Sequence, residues 1–423
     1  KIKDSAVTTA KINNGAITEG KLAANSVTSA KIANGTIVTA DLGDNAVTLA
    51  KMASLARGSI IYGDSAGDPA ALSIGSNGTV LKSDGTDVSW GTVSAGPTHK
   101  TFGTGSIMIG DNATGTISSA DNNTGVGVDI FAALTEGDRN TAVGYRTLAS
   151  VTTGGFNTAV GYDALRYNTG NYNTAVGEQA MVATTSGQYG TAVGYRALAL
   201  NQDGGSNTAI GREALFDCVS GVENVAVGAL ALNDNTGSNN TAVGTEAMKL
   251  NTSGTQNAAF GKAALITCTS GNYNTALGAY ALKLLTTAER NTAVGWEAGR
   301  DVTTGEKNVF VGYGCGNEVT TGSNNVFMGD NAGTNVTTGG HNTFIGKGAG
   351  DSNISGNENV CIGSTAGNSL TGSGTTIIGY RTANGVTSSD ESVYIGSDAA
   401  YSAGSGNRNV AIGNNAGYNW TTA

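Results

Sequence analysis

The sequence predicts an all-β fold, an elongated parallel β-solenoid, and three observations predict it. A phrase of the type "NTAVG" recurs in nineteen copies between Gly110 and Gly413, and every step between its glycines is 16 or 17 residues. Within each copy, apolar residues alternate with small or polar ones at the period of a strand. The copies are joined by Thr/Ser/Gly turns such as "TTGGFN" and "TSGQYG", never by a long insertion. A length change in one copy would disturb its neighbours, which is how stacked coils behave.

Taken in order, residues 1–52 carry an apolar residue at every fifth position, from Ile2 and Val7 to Val47 and Met52. That period is neither the 3.6 of a helix nor the 2 of a flat strand, and it predicts a narrow β-fibre in which each pentad supplies one inward side chain. Residues 53–102 read as a small β-rich connector broken by Gly and Asp turns. Residues 103–423 hold the repeats. Stacked at the inter-strand spacing of about 4.8 Å, their coils predict a rod on the order of 85 to 90 Å long.

Inside one coil, position 143 and its equivalents are apolar throughout (Val143, Val160, Val176, Phe260, Met328), so this column is expected to face the core. Thr141 shares its face by the period of two, and Val replaces that Thr at 225, 309, 326, 360 and 410, which reads as an inward β-branched rung. Ala142 and the motif glycines Gly144, Gly161 and Gly177 then fall on the opposite face, small enough for another sheet to approach. A second short strand, "YRTL" or "YDAL", is expected after the glycine, so that one coil is two strands and two turns.

Near residue 300 two columns change together. Four residues after the glycine, Leu148, Leu165 and Met181 give way to Gly316, Gly333 and Gly350, while Ala142 and its equivalents give way to Phe310, Phe327 and Phe344. Losing a Leu while gaining a Phe is volume exchange across one contact, because interiors are close-packed. With the Val column taken as core, the alternation puts the shared space between chains. Ala142, Phe310, Phe327 and Phe344 are therefore expected to face partner chains in an oligomer.

The phrases "NTAVGYxAL" and "TTGxxN" resemble the head repeats of trimeric autotransporter adhesins, whose shorter coils have an "NSVAIG"-type core, and still more the long repeat tracts of bacteriophage tail fibres. The resemblance covers residues 103–423. It implies a left-handed parallel β-roll, three chains around one axis, and a role in adhesion or host contact. The 17-residue coil with its added "AL" element departs from the adhesin pattern, and residues 103–423 themselves contain no coiled-coil stalk or membrane-anchor pattern. The pentads and the connector resemble tail-fibre modules. Together these features favour the structural shaft of a homotrimeric viral tail fibre, located in the virion. Its implied partners are tail or baseplate proteins and a host surface glycan or receptor. The runner-up is a bacterial trimeric surface adhesin.

Composition fits a structural role. The chain has 65 Gly, 13% charged residues and a net charge of -9, which offers nucleic acid or an anionic membrane no electrostatic attraction. No apolar run approaches the roughly 18 residues of a membrane-spanning helix. His99 and His341 sit in no metal-ligand or triad spacing, so no catalytic residue, cofactor or metal is assigned. Gly261-Lys262 and Gly346-Lys347 lack the following Ser or Thr and the upstream Gly of a phosphate loop. Cys218 and Cys268 share a column three coils apart, roughly 14 Å by the strand spacing, beyond the ~7 Å reach of a disulfide. Free thiols fit synthesis in a reducing cytoplasm.

Tyr145, Tyr162, Tyr195, Tyr313 and Tyr380 follow a motif glycine, and Phe156, Tyr172, Tyr189 and Tyr273 precede a motif Asn. Ladders of aromatics pack on one another more often than they bind sugars, so no glycan contact is assigned. An ice-binding solenoid needs Thr columns facing water, and the Thr141 column reads as inward. The chain starts on Lys1 and stops at "AGYNWTTA" before another coil closes, which predicts further sequence at both ends.

Overall fold

The computed structural model describes residues 12–42 except 14 and 25, 56–92 except 64, 67 and 68, 98–110 and 119–420. The chain divides into two compact units, Lys1–Gly96 and Pro97–Ala423.

In the first unit, the described pentads form no strand. Each closes a tight turn on itself, with backbone bonds such as Lys21 N to Thr18 O and Ser26 N to Ala23 O repeating every five residues. Short 3-10 turns recur every ten residues at Glu19–Lys21, Ser29–Lys31 and Thr39–Asp41. A single strand of chain this thin has nothing to bury its apolar residues against, and Ile17 (53%) and Val27 (54%) stay exposed. Pentads 2–7 and 47–52 lie outside the described residues. The connector is two antiparallel hairpins, Ile60–Gly63 with Pro69–Leu72 and Thr79–Ser83 with Val88–Thr92, and Trp90 Nε1 donates to Ser73 O at 2.6 Å. Asp84 accepts from the backbone of Thr86 and Asp87, and those bonds, Asp87's foremost, hold its carboxyl below its ordinary pKa.

The second unit is the parallel β-solenoid. Ser106–Gly110 pairs in parallel with Thr124–Gly127, that strand with Thr141–Val143, and so on in register to Val410–Ile412. Thr98–Phe102 pairs antiparallel with Ser106–Gly110 at one end. Among the described residues, Val410–Ile412 pairs only with Val393–Ile395, so the ladder is an open ribbon rather than a closed ring. Like stacks on like: Thr141 lies beside Thr158, Ala142 beside Ala159 and Val143 beside Val160.

Each repeat holds one strand, not two, and from Thr141–Val143 onward that strand is three residues long. The "YRTL" segment is a corner in which Gly144, Arg146 and Leu148 all have positive φ, at 137°, 51° and 51°. Glycine is required at the first of these, because a Cβ on Gly144 would stand 2.3 Å from the carbonyl oxygen of Gly161 in the next coil. This is the structural role of Gly144, Gly161 and Gly177.

Three side-chain ladders run along the rod beside the backbone ladder. The Asn that opens most of the phrases, from Asn123 to Asn359, is buried, with Gly190 in its place in one coil. Asn274, for example, takes the N–H of Asn291 on its Oδ1 at 3.0 Å and donates from Nδ2 to Ala288 O at 2.9 Å. On the turns, Thr hydroxyls donate to the carbonyl one coil on, as Thr303 does to Thr320 and Thr320 to Thr337. At a third corner Asp, Asn or Ser accepts a backbone N–H from the preceding coil, as Asn171 does from Gly155 and Asp390 from Ser373. These ladders satisfy buried polar groups between coils, alongside bonds within a coil such as Asn201 Nδ2 to Gly204 O.

The core lies between the strand and the corner. Ala142 and Leu148 are both fully buried, as are Ala159 and Leu165. Past residue 300 the ring of Phe310 occupies the place of the Leu: a Cβ on Gly316 would fall 2.4 Å from it, and one on Gly333 2.6 Å from Phe327. The junction coil carries Ala293 and Gly299, small at both positions, and Phe310 leans into it, 2.6 Å from where a Gly299 Cβ would stand. Phe310 is accordingly tilted 54° from Phe327, whereas Phe327 and Phe344 stack at 4.8 Å and 5°. The volume exchange is real, and it happens inside one chain.

Candidate assembly face and aromatic ladders

The strand alternates with the expected period but the opposite phase. Ala142, Phe310, Phe327 and Phe344, expected to face partner chains, are wholly buried within the solenoid. Val143 and Val176, expected in the core, are each 37% exposed, and Val160 is half-exposed. Thr141 and its column share that outward face. Two constraints set the phase. The buried Asn that precedes each strand turns every second residue after it inward, and Leu148 reaching across the narrow coil leaves room for only a methyl at Ala142.

The result is a strip of two outward columns along nineteen rungs, Thr or Val in the first, apart from Ile107 and Ala258, and Val, Ile, Phe, Leu or Met in the second. Neighbouring rungs cover each side chain on two sides, so values near 40% represent a side chain pointing straight out. Ile412, with no described rung beyond it, rises to 65%. No side chain on the strip is charged.

Around the corner from this strip the aromatics form short ladders. Tyr145 stacks on Tyr162 at 5.4 Å, and Phe156, Tyr172 and Tyr189 form a triple stack at 4.8 and 5.1 Å. Arg146 lies over both Tyr145 and Tyr162 and is held by Asp163, its Nε 2.9 Å from Oδ1. Trp296 and Tyr313 repeat the arrangement farther along at 4.7 Å. Ring faces are thus largely used by other rings or by guanidinium groups, leaving edges and hydroxyls outward.

Among the described residues, little else has the makings of a reactive site. Among the described residues no three His, Cys, Asp or Glu side chains gather to hold a metal ion, and no helix is long and apolar enough to cross a membrane. His341 is exposed on a turn, and His99 sits in the strand Thr98–Phe102. Lys262 extends toward the ring of Tyr280 at 5.8 Å, and the backbone after Gly261 forms a corner, not a helix start. An open groove of about 430 Å³ bounded by Glu358, Asp390, Glu391 and Arg408 is bridged by the Arg408–Glu391 ion pair at 2.8 Å.

The chain matches no protein-family model, curated protein or solved structure.

All four cysteines are free and buried. Burial pushes the thiols of Cys218 and Cys268 up to about 11 and that of Cys315 up to about 12, and raises Cys361 as well. A thiol reagent at pH 8 is therefore expected to leave the folded chain untouched and to titrate four groups on unfolding. Rapid reaction of any of them in the folded rod would contradict this packing. Because the folded values are raised, the unfolded chain loses its thiol protons first, so stability falls as pH climbs from near 9 through 11.

Proposed function

We propose that the chain is the structural shaft of a trimeric viral tail fibre or similar appendage that serves host-cell attachment, and that it works by length and stiffness without catalysis. One observation carries the reading: the coil repeats in unbroken register from Ser106–Gly110 to Val410–Ile412, laced by side-chain ladders at three corners. Such a wall offers a receptor many equivalent weak contacts and no distinctive pocket, so recognition of a host glycan or receptor belongs at the far end or on a neighbouring protein of the particle. The resemblance of the repeats to tail-fibre tracts supports the viral setting, and the free buried thiols fit assembly in a reducing cytoplasm.

Deleting residues 157–189 removes two whole coils while keeping the register. The shortened fibre is expected to lose roughly 10 Å of length and to keep attachment largely intact, measured as particle adsorption to host cells. Loss of adsorption by a fibre that still assembles would make the side wall the receptor site and overturn the reading.

A further inference from the structure

We propose that the outward Thr/Val strip is the seam between copies of this chain, which meet along it in parallel and in register. This rests on the reading of the chain as an assembled shaft, and it places the contact on the face opposite to Ala142 and Phe327, where the sequence alternation put it.

The extent of the strip limits what could cover it. Nineteen rungs at about 4.8 Å, with the two columns about 7 Å apart, give a flat footprint of about 600 Å² before side-chain relief, comparable with the ~800 Å² per partner of a stable interface. A partner must also repeat at the same spacing, or its side chains drift out of step within a few rungs. A second copy meets that condition along the whole length. The strip carries no charge, so copies with a net charge of -9 meet there without direct repulsion.

Orientation follows from the gradient along the first column. Thr dominates it up to Thr292, and Val takes over at Val309, Val326, Val360, Val393 and Val410. Parallel packing sets hydroxyls against hydroxyls and apolar groups against apolar groups. Antiparallel packing about the middle rung would set Thr158 against Val360, Thr191 against Val326 and Thr208 against Val309, stranding hydroxyls in an apolar seam. The same gradient argues against an ice-binding face. The hydroxyl column is broken by those valines and by Ala258, and Phe260, Leu277 and Met328 roughen the second column.

The test uses the full chain carrying Thr191→Cys or Val326→Cys, since the four native thiols are buried, with sedimentation of the native protein alongside. A short bis-maleimide is expected to link Thr191→Cys chains to one another. It is also expected to link Val326→Cys chains to one another, and not to link the two variants in a mixed assembly. Val193→Asp is expected to convert the assembly to the 42.1 kDa monomer with the solenoid still folded by circular dichroism. Linking only between the two variants would overturn the parallel seam. An oligomer that neither links nor responds to Val193→Asp would overturn the seam and leave the shaft reading standing. A native protein that sediments as a monomer would end both, and thermal hysteresis from that monomer would reassign the strip to ice.

Discussion

Phe327→Ala is expected to destabilise the rod by about 3 to 5 kcal/mol per chain, the usual cost of emptying a buried Phe site. The ring is fully buried, stacks on Phe344 at 4.8 Å, and fills the space over Gly333. Gly333→Leu alone is also expected to destabilise. Its Cβ would stand 2.6 Å from Phe327, and the backbone there, at φ 59°, strains any side chain by about 1 kcal/mol or more. Together the two changes rebuild the Ala142/Leu148 pairing of the earlier coils, where a Leu at φ 51° is accommodated. The double variant should therefore recover more than half of the summed loss, short of the stacking of about 0.5–1.5 kcal/mol given up with the ring. Denaturant unfolding of the four proteins measures the coupling. Simple additivity would mean that the two columns do not share one space.

Asn274→Leu is expected to cost a comparable amount, about 3 to 5 kcal/mol, for a different reason. The Asn side chain has the same branched skeleton as Leu, whose two methyls are bulkier, so the change adds some crowding and opens no cavity. The main loss is of a partner for the Asn291 N–H and for the Ala288 carbonyl, both facing the interior, and each orphaned buried group costs about 1–3 kcal/mol. Asn274→Asp separates bonding from shape. An ionised Asp can still accept from Asn291 but cannot donate to Ala288, and burial raises its pKa. Its deficit should therefore shrink as the pH falls toward 4 and the carboxyl takes up a proton. A deficit independent of pH would indicate that the side chain at 274 is solvated.

The two experiments probe the features that were most and least legible in the sequence. Coil length, stacking and register follow from glycine spacing alone, since a corner that admits no Cβ must recur once per coil. The exchange of Leu148 for Gly316 and of Ala142 for Phe310 was legible as contact because volume is conserved across it. Its location was not. Ranking Val above Ala for burial is sound in a wide sandwich, but this coil has one strand and a Leu arriving from the opposite corner, so the larger residues are the ones turned out.

The Asn column was legible as a recurrence without a role. Asn is ordinarily a surface residue, and only the pairing of its amide with two neighbouring coils makes an interior position favourable. A polar residue opening nearly every apolar phrase was the available signal. The second strand expected from "YRTL" failed on conformation, since alternating left-handed residues at Arg146 and Leu148 make a corner. The pentads show a period whose inward side has no counterpart within a single chain.

The Asn column is broken at Gly190, which still donates its N–H to Asn173 but has no side chain to offer Asn207; the Cε methyl of Met181 crowds the vacated side, 2.5 Å from where a Cβ would stand. Bonds that point along a rod behave under tension like links of a chain in series. Every rung then carries the same load, and adding rungs lengthens the rod without strengthening it. The tensile strength of the rod is accordingly a property of its poorest junction, and the junction between the strands Thr191–Val193 and Thr208–Ile210 has one side-chain bond fewer than its Asn-linked neighbours.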